Sequence, residues 1–381
     1  APLDVALAWD NPPEPPEFLT NDVGESFFYP GKDHLIYGPS GSGKSWVAFL
    51  AAYQALTGGL RVAIVDYEDS SRGVVERFKA LGTSKEALCD LESFRYINPV
   101  EALGKDRLGR HRPSEGDFQA LIDWEPHLVI VDGLTEAMSI EGLAINAAED
   151  VSRLYDLVQR PLARAGACVI SIDHTAKSQG DFGPTEIGSQ QKRAGLKGTS
   201  YWIETIVPPA RAYTEPVEGK LRLRLAKDRG GWVQGRYPGF HSVVCEITLR
   251  SLPGGRVEWT VGRPPVELAA GGLETEVLLW LKENPGSSQA GVAEGLGRNK
   301  RDNTVTSCLR TLVVKGLVAV SAGPRNANLY KMTLHGLGAL VAAGVVKLDS
   351  SDRRSDDCDG HPQLSVPGFE SVGDRRKESL P

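Results

Sequence analysis

One stretch near the start of the chain constrains it more than any other: Asp33-His34-Leu35-Ile36-Tyr37-Gly38-Pro39-Ser40-Gly41-Ser42-Gly43-Lys44-Ser45. The short apolar run Leu35 to Tyr37 reads as a strand, and the Ala-rich segment Trp46 to Leu56 reads as a helix. Between them Gly38, Gly43, Lys44 and Ser45 fit the spacing G-x-x-x-x-G-K-[ST]. Glycines let backbone N–H groups turn inward around an anion, and the helix N-terminus adds its positive dipole end. Gly38, Pro39, Ser40, Gly41, Ser42, Gly43, Lys44, Ser45 and Trp46 are therefore the candidate phosphate-binding set. Lys44 would reach the β- and γ-phosphates, and the Ser45 hydroxyl would hold Mg²⁺. The alternative is a Gly-rich surface turn.

The strand–turn–helix unit is followed by more of the same. Val62-Ala63-Ile64-Val65-Asp66 is a buried strand ending in Tyr67-Glu68-Asp69-Ser70, with a helix from Ser71 to Leu81. A short helix near 84–90, a strand from Ser93 to Ile97, a charged loop over 100–115 and a helix over 117–124 come next. Then Leu128-Val129-Ile130-Val131-Asp132-Gly133 forms an unbroken apolar strand ending in an acid. A helix over 147–160 precedes Ala167-Cys168-Val169-Ile170-Ser171-Ile172-Asp173-His174. Strands alternating with helices predict an α/β fold with a mainly parallel sheet covered on both faces. Four later β-like runs, Tyr201–Val207, Leu221–Ala226, Val243–Thr248 and Val257–Val261, predict antiparallel strands that extend it. With 381 residues there is room for about two domains.

The remaining composition shifts set the boundaries. Residues 1–30 are Pro-rich and acidic and read as an arm, lying on the core or reaching a neighbouring subunit. Residues 31–261 form the sheet domain, and the Gly/Pro-rich 262–272 a linker. Over 273–345, three helices and a two-stranded ribbon predict a winged helix, and 346–381 reads as a disordered tail. No apolar run reaches about 18 residues, so no membrane span is expected. Nor is a secretory leader expected at Ala1-Pro2-Leu3-Asp4. The five cysteines lack metal-ligand spacing, which favours reduced thiols and a cytoplasmic setting.

In open parallel sheets ligands sit outside the carboxyl ends of the strands. There Asp132 is placed to steady Mg²⁺, or else to cap a helix. Gly133 and no second acid follows Asp132, so the general base must come from another strand, where Asp66, Glu68 and Asp69 are the available cluster and Glu68 is the candidate. His174, at its strand end, would touch the γ-phosphate, a structural histidine being the alternative. The net charge of −6 argues against a protein that coats nucleic acid with its whole surface. Local basic surfaces do occur. Lys177, Lys192, Arg193 and Lys197 lie in the segment after His174, where a solvated loop is the alternative reading. Between Arg298 and Lys331 seven basic residues face one acid, Asp302. Arg298, Lys300 and Arg301 open the third helix of the winged helix, and Arg325 sits at the wing tip. These suit duplex or fork phosphates, protein binding or mere packing being the alternatives.

The phosphate loop, Val65-Asp66-Tyr67-Glu68-Asp69-Ser70, Leu128-Val129-Ile130-Val131-Asp132-Gly133 and Ile170-Ser171-Ile172-Asp173-His174 together resemble the RecA-like ATPases. Within them they are most similar to the hexameric replicative helicases of RepA and DnaB type. The resemblance covers residues 30–235 and implies ATP and Mg²⁺, Glu68 as catalytic glutamate and His174 as γ-phosphate sensor. It also implies a homo-oligomer, a hexamer in that group, with single-stranded DNA held in a central channel. Leu225-Ala226-Lys227-Asp228-Arg229-Gly230-Gly231 is similar to the Lys-x-Arg strand that reaches the next subunit's nucleotide. Lys227 and Arg229 are thus the trans-acting candidates. The sequence departs from the group in having only a Pro-rich arm where DnaB carries an N-terminal helical domain. Three functions follow as expectations. The first is an ATP-dependent helicase or translocase acting in replication. The second is a non-unwinding RecA-like ATPase, a recombination mediator or helicase loader. The third is a winged-helix transcriptional regulator switched by ATP.

Overall fold

The computed structural model describes residues 14–103, 115–174, 191–238, 241–264, 268, 271–324, 327–343 and 345–346. The chain divides into two compact units, with the boundary after Pro264.

In the first unit the elements run β1 (Phe18–Thr20), β2 (Ser26–Phe28), β3 (Asp33–Gly38), α1 (Lys44–Thr57), β4 (Val62–Asp66), α2 (Ser71–Leu81), α3 (Lys85–Cys89), β5 (Phe94–Ile97), α4 (Glu115–Asp123), β6 (Leu128–Asp132) and α5 (Leu134–Ile140). Then follow α6 (Ala148–Leu154), a π-helical turn (Tyr155–Gln159), α7 (Arg160–Arg164), β7 (Cys168–His174), α8 (Gln191–Ala194), β8 (Thr199–Val207), β9 (Val217–Asp228), α9 (Trp232–Arg236), β10 (Val243–Ser251) and β11 (Val257–Gly262). Nine strands form one sheet in the order β11-β10-β9-β8-β3-β7-β6-β4-β5. The pairs from β8 to β5 are parallel, and β8 to β11 pair antiparallel. This is a RecA-like P-loop core.

The strand sequences follow from what covers them. β3, β4 and β6 are buried at every position, as a sheet with helices on both faces requires. Ile36, Ile64, Ile130 and Ile170 pack on one face with Val47, Leu50 and Phe78 of α1 and α2. Their neighbours Leu35, Val65, Val129 and Val169 pack on the other with Leu121, Leu134, Val158 and Leu162. In β9 the pattern becomes alternating: Leu221, Leu223 and Leu225 are buried while Arg222 and Arg224 point out. These arginines form cross-strand ion pairs with Glu246 and Glu204.

Two stretches differ from the sequence reading. The arm expected over 1–30 is, from Phe18 onward, a hairpin built into the core, with Phe18, Leu19, Phe27, Phe28 and Tyr29 buried. Gln54 of α1 holds it by accepting from the Thr20 N–H at 2.8 Å and donating to the Thr20 carbonyl at 2.9 Å. The helix expected over 147–160 is continuous in direction but takes a π turn before Pro161. Proline has no N–H for the i→i−4 ladder, and a wider turn absorbs the missing bond.

Beneath the hairpin His34 is fully enclosed. Its Nδ1 accepts from the Thr199 N–H at 2.9 Å, and its Nε2 faces both the N–H and the carbonyl of Tyr29, at 3.1 and 3.0 Å. Gly198 presses on the ring where any Cβ would collide. Burial pulls the imidazole down to about 4. A depressed imidazole is neutral in the folded state while the unfolded chain takes up a proton near pH 6.5. Stability is therefore lost as pH falls from about 6.5 to 4, by up to about 3 kcal/mol. Urea melts at pH 7 and 4.5 should show this slope, and His34→Gln should be weaker at pH 7 but flatter with pH.

The second unit comprises α10 (Leu273–Glu283), β12 (Ser287–Ser288), α11 (Gln289–Gly295), α12 (Asn303–Val314), β13 (Val318–Ala322), β14 (Asn328–Met332) and α13 (Leu334–Ala342). Its three strands are antiparallel in the order β12-β14-β13. Val277, Leu281, Val292, Val305, Leu309 and Leu340 form its core. Ser288 and Asp302 cap α11 and α12. Among the described residues no helix is long and apolar enough to cross a membrane. Cys89, Cys168, Cys245 and Cys308 are free thiols, and Cys358 lies outside the described residues.

Candidate nucleotide site

The loop after β3 turns on glycines at positive φ, Gly41 at 74° and Gly43 at 93°. A Cβ at Gly38 would stand 2.9 Å from the Ser42 hydroxyl, and one at Gly43 2.6 Å from Leu221. Gly43 caps α1 without a side-chain hydrogen bond, and the first turn holds no acidic residue. Its first N–H groups therefore remain for an anion. Lys44 folds back on the Gly38 and Pro39 carbonyls at 3.0 and 2.8 Å. Burial draws its ammonium down, against the pull of Glu68, Asp132, Asp173 and Glu136.

The parallel strand ends bring the other candidates to the same cleft. It has a volume of about 410 Å³ and is lined by Ser40 to Trp46, Glu68, Asp69, Arg77, Asp132, Ile172, His174 and Pro209. His174 Nε2 lies 3.2 Å from Glu68 Oε1, and His174 Nδ1 3.4 Å from Lys44 Nζ. Asp66 is not a rival base. Its carboxylate accepts from the N–H groups of Glu68 and Asp69 and from the Tyr96 hydroxyl, which fixes the turn that presents Glu68. Gly133 also serves Glu68: a Cβ there would stand 3.1 Å from the Glu68 Cβ.

Ser45 Oγ and Asp132 Oδ2 are 3.4 Å apart, and Asp132 Oδ1 is buried without a hydrogen-bond partner. An orphaned carboxylate oxygen beside a hydroxyl suits a hydrated divalent cation bound mainly through substrate phosphates. Among the described residues no cluster of three or more His, Cys, Asp or Glu could hold a metal alone. Burial, then Glu68 and Asp66, push Asp132 up to about 7. Without a cation this raised carboxyl favours the folded state at low pH, and that contribution is lost as pH rises through about 7. A cation needs the carboxylate, so affinity for Mg²⁺·nucleotide should fall about tenfold from pH 8 to 6. Titration calorimetry of Asp132→Asn should give a weaker, pH-flat affinity.

Arg77 and Pro209 have no counterpart in the sequence reading. Arg77 Nη1 pairs with Asp69 Oδ2 at 2.7 Å, and its guanidinium lies 5.4 Å from the Phe49 ring centre. Gly73 leaves the room that the Asp69 carboxylate occupies. Helical spacing puts Arg77 on a charged face but does not show that the face borders the cleft. Pro209 arrives because Thr205 of β8 donates to the Ser42 carbonyl at 3.0 Å, a contact set by tertiary pairing.

Two expectations are corrected. Lys227 is level with Ser200 and Leu35, away from the Gly38 end of the sheet. Its ammonium donates to the carbonyls of Arg193, Ala194 and Leu196 at 2.7, 2.8 and 3.0 Å. Its three protons thus point to its own chain and not toward the phosphate loop. Burial, then Arg229, Lys197 and Arg193, draw the Lys227 ammonium down to about 8. Arg229 is exposed and makes one 3.3 Å side-chain contact with the Ala194 carbonyl. Lys192 is no surface ligand either, being wholly enclosed against Asp173. Lys197 is exposed and Arg193 half-buried, while Lys177 lies outside the described residues. In the second unit Arg301 is exposed, Arg298 contacts Asp302 and Thr304, and Lys300 pairs with Glu294. Arg325 lies outside the described residues.

A family model described as an AAA domain matches residues 2–180. That stretch carries the phosphate loop, Glu68, Asp132 and His174, and β8 to β11 follow it. No curated protein matches the chain. With the fold, this match supports a P-loop ATPase domain in the first unit.

Proposed function

We propose that the chain is a ring-forming, ATP-driven helicase or translocase of the hexameric replicative group. It moves along single-stranded DNA and carries a winged-helix module for duplex or fork DNA in its second unit. The observation that supports this most is the convergence on His174 of the Glu68 carboxylate at 3.2 Å and the Lys44 ammonium at 3.4 Å. A base, a sensor and a phosphate ligand share one cleft.

Lys44 and the first N–H groups of α1 would hold the β- and γ-phosphates. Mg²⁺, held through Ser45 and Asp132, would neutralise charge on the phosphate oxygens. Glu68 orients water and takes its proton as the new oxygen–phosphorus bond forms and the bond to the leaving diphosphate breaks. His174 contacts the γ-phosphate and registers its departure. Arg229 of the adjacent subunit stabilises the transition state. The segment after His174, with Arg193 and Lys197 at its end, holds the single strand by its phosphates. Arg298, Lys300 and Arg301 at the start of α12 meet duplex phosphates.

Mass measurement with and without ATP and single-stranded DNA, paired with strand displacement, tests the reading. A nucleotide-dependent hexamer whose unwinding is lost in Lys44→Ala is expected. DNA-stimulated hydrolysis without displacement would assign the chain to the non-unwinding ATPases. A persistent monomer binding duplex sequence-specifically, even as Lys44→Ala, would make it a regulator.

A further inference from the structure

Lys192 stands in a stretch whose other cations suit a surface, yet neither its side chain nor that of Asp173 has any solvent exposure. Lys192 Nζ donates to Asp173 Oδ2 at 2.8 Å and to Thr135 Oγ1 at 3.3 Å. The Thr135 hydroxyl in turn donates to Asp173 Oδ1 at 2.9 Å, so the three side chains close a ring. The Tyr155 hydroxyl donates to the Lys192 carbonyl. Two charges out of water are costly, and removing one partner of an enclosed pair leaves an uncompensated buried charge, so the ring holds its three side chains together. What this ring fixes is set by its neighbours. Asp173 precedes His174 on β7, and Thr135 lies three residues after Asp132.

We propose that Lys192 is a positioning residue for the hydrolytic site. Through Asp173 and Thr135 it locks the end of β7 to the start of α5, so that His174 stays between Glu68 and Lys44. The inference rests on the hydrolysis reading above. Successive strand residues point to opposite faces, so Asp173 is gripped behind the sheet while His174 works in front. A peptide plane held from behind leaves the next side chain little freedom. Lys227 holds the other end of the same short helix by the carbonyls of Arg193 and Ala194. The Lys192 backbone is thereby fixed, and its ammonium can act as a fixed strut.

The experiment compares hydrolysis by the full chain, by His174→Ala, by Asp173→Asn with Lys192→Met, and by all three substitutions together. The paired variant leaves no lone buried charge, so it should unfold cooperatively and keep its nucleotide affinity within about threefold, while kcat falls at least about tenfold. On the His174→Ala background the pair should cost no more than about twofold further, because it acts through His174. A merely structural pair would lower kcat by the same factor on both backgrounds, and that overturns the inference. An unchanged kcat in the paired variant does so too. Should that variant fail to fold, Thr135→Val decides. It keeps both charges paired and removes the shared hydroxyl; the melting temperature should fall but stay above the assay temperature, and kcat should still fall about threefold or more, with full kcat the overturning result. No hydrolysis by the unsubstituted chain would overturn the hydrolysis reading along with this one, whereas the other outcomes leave that reading standing.

Discussion

Glu68→Gln should leave nucleotide binding within about threefold of the unsubstituted chain and lower turnover by about 10²–10⁴, the usual contribution of a general base. The substitution keeps the side chain's length and an oxygen that can still face His174 Nε2, now 3.2 Å from Glu68 Oε1. It removes only the capacity to take a proton. Asp66 cannot substitute, because its oxygens are engaged by two backbone N–H groups and the Tyr96 hydroxyl. Asp69 cannot either, since its carboxylate is tied to Arg77 at 2.7 Å. Steady-state hydrolysis and equilibrium binding of a labelled nucleotide check the split. Normal turnover would remove Glu68 from its role and direct attention to another carboxylate in the cleft.

The sequence showed most of this arrangement where local pattern and position coincide. Unbroken apolar runs mark β3, β4, β6 and β7, and the residues just past such runs stand at the carboxyl edge of a parallel sheet. That geometry brings Lys44, Glu68, Asp132 and His174 to one cleft from positions as far apart in sequence as 44 and 174. The hairpin from Phe18 to Phe28 was less legible, because two three-residue strands flanking Asn21 and Gly24 give too short a period to register. Lys192 was misleading for a different reason. A lysine among glycines and glutamine looks solvated, and only the fold supplies Asp173 as its enclosed partner. Lys227 misled in the same way, since its acceptors are backbone carbonyls that carry no sequence mark. Arg77 was hidden by the symmetry of a charged helix face. Placement that follows from a residue's own position at a strand end is legible in the sequence, and placement that needs a tertiary partner is not.

Arg229→Ala should abolish hydrolysis on its own, by about 10³–10⁵, yet recover part of it when mixed with Lys44→Ala. The two residues lie at opposite edges of the first unit's sheet. Lys44 sits at the carboxyl end of β3, whereas Arg229 follows β9 where that strand runs back past Ser200 and Leu35. A side chain there cannot serve the phosphate loop of its own chain, and the head-to-tail contact of a ring presents one end of a subunit to the other end of the next. In a random equimolar mixture, about a quarter of the seams would join an intact Lys44 site to an intact Arg229. Hydrolysis should rise from near nothing in either variant to at most about that fraction of the parental rate. Arg229 must leave the Ala194 carbonyl, now at 3.3 Å, to act across a seam, and one long contact on an exposed guanidinium is easily given up. Lys227→Ala should behave otherwise. Its ammonium closes three carbonyls of its own chain, so its loss should lower the melting temperature and gain nothing from mixing. Mixing followed by hydrolysis assays, with subunit exchange verified by mass, separates the two. If the Arg229→Ala mixture stays inactive although mixed rings form, the site is complete within one protomer and hydrolysis is not shared across a seam.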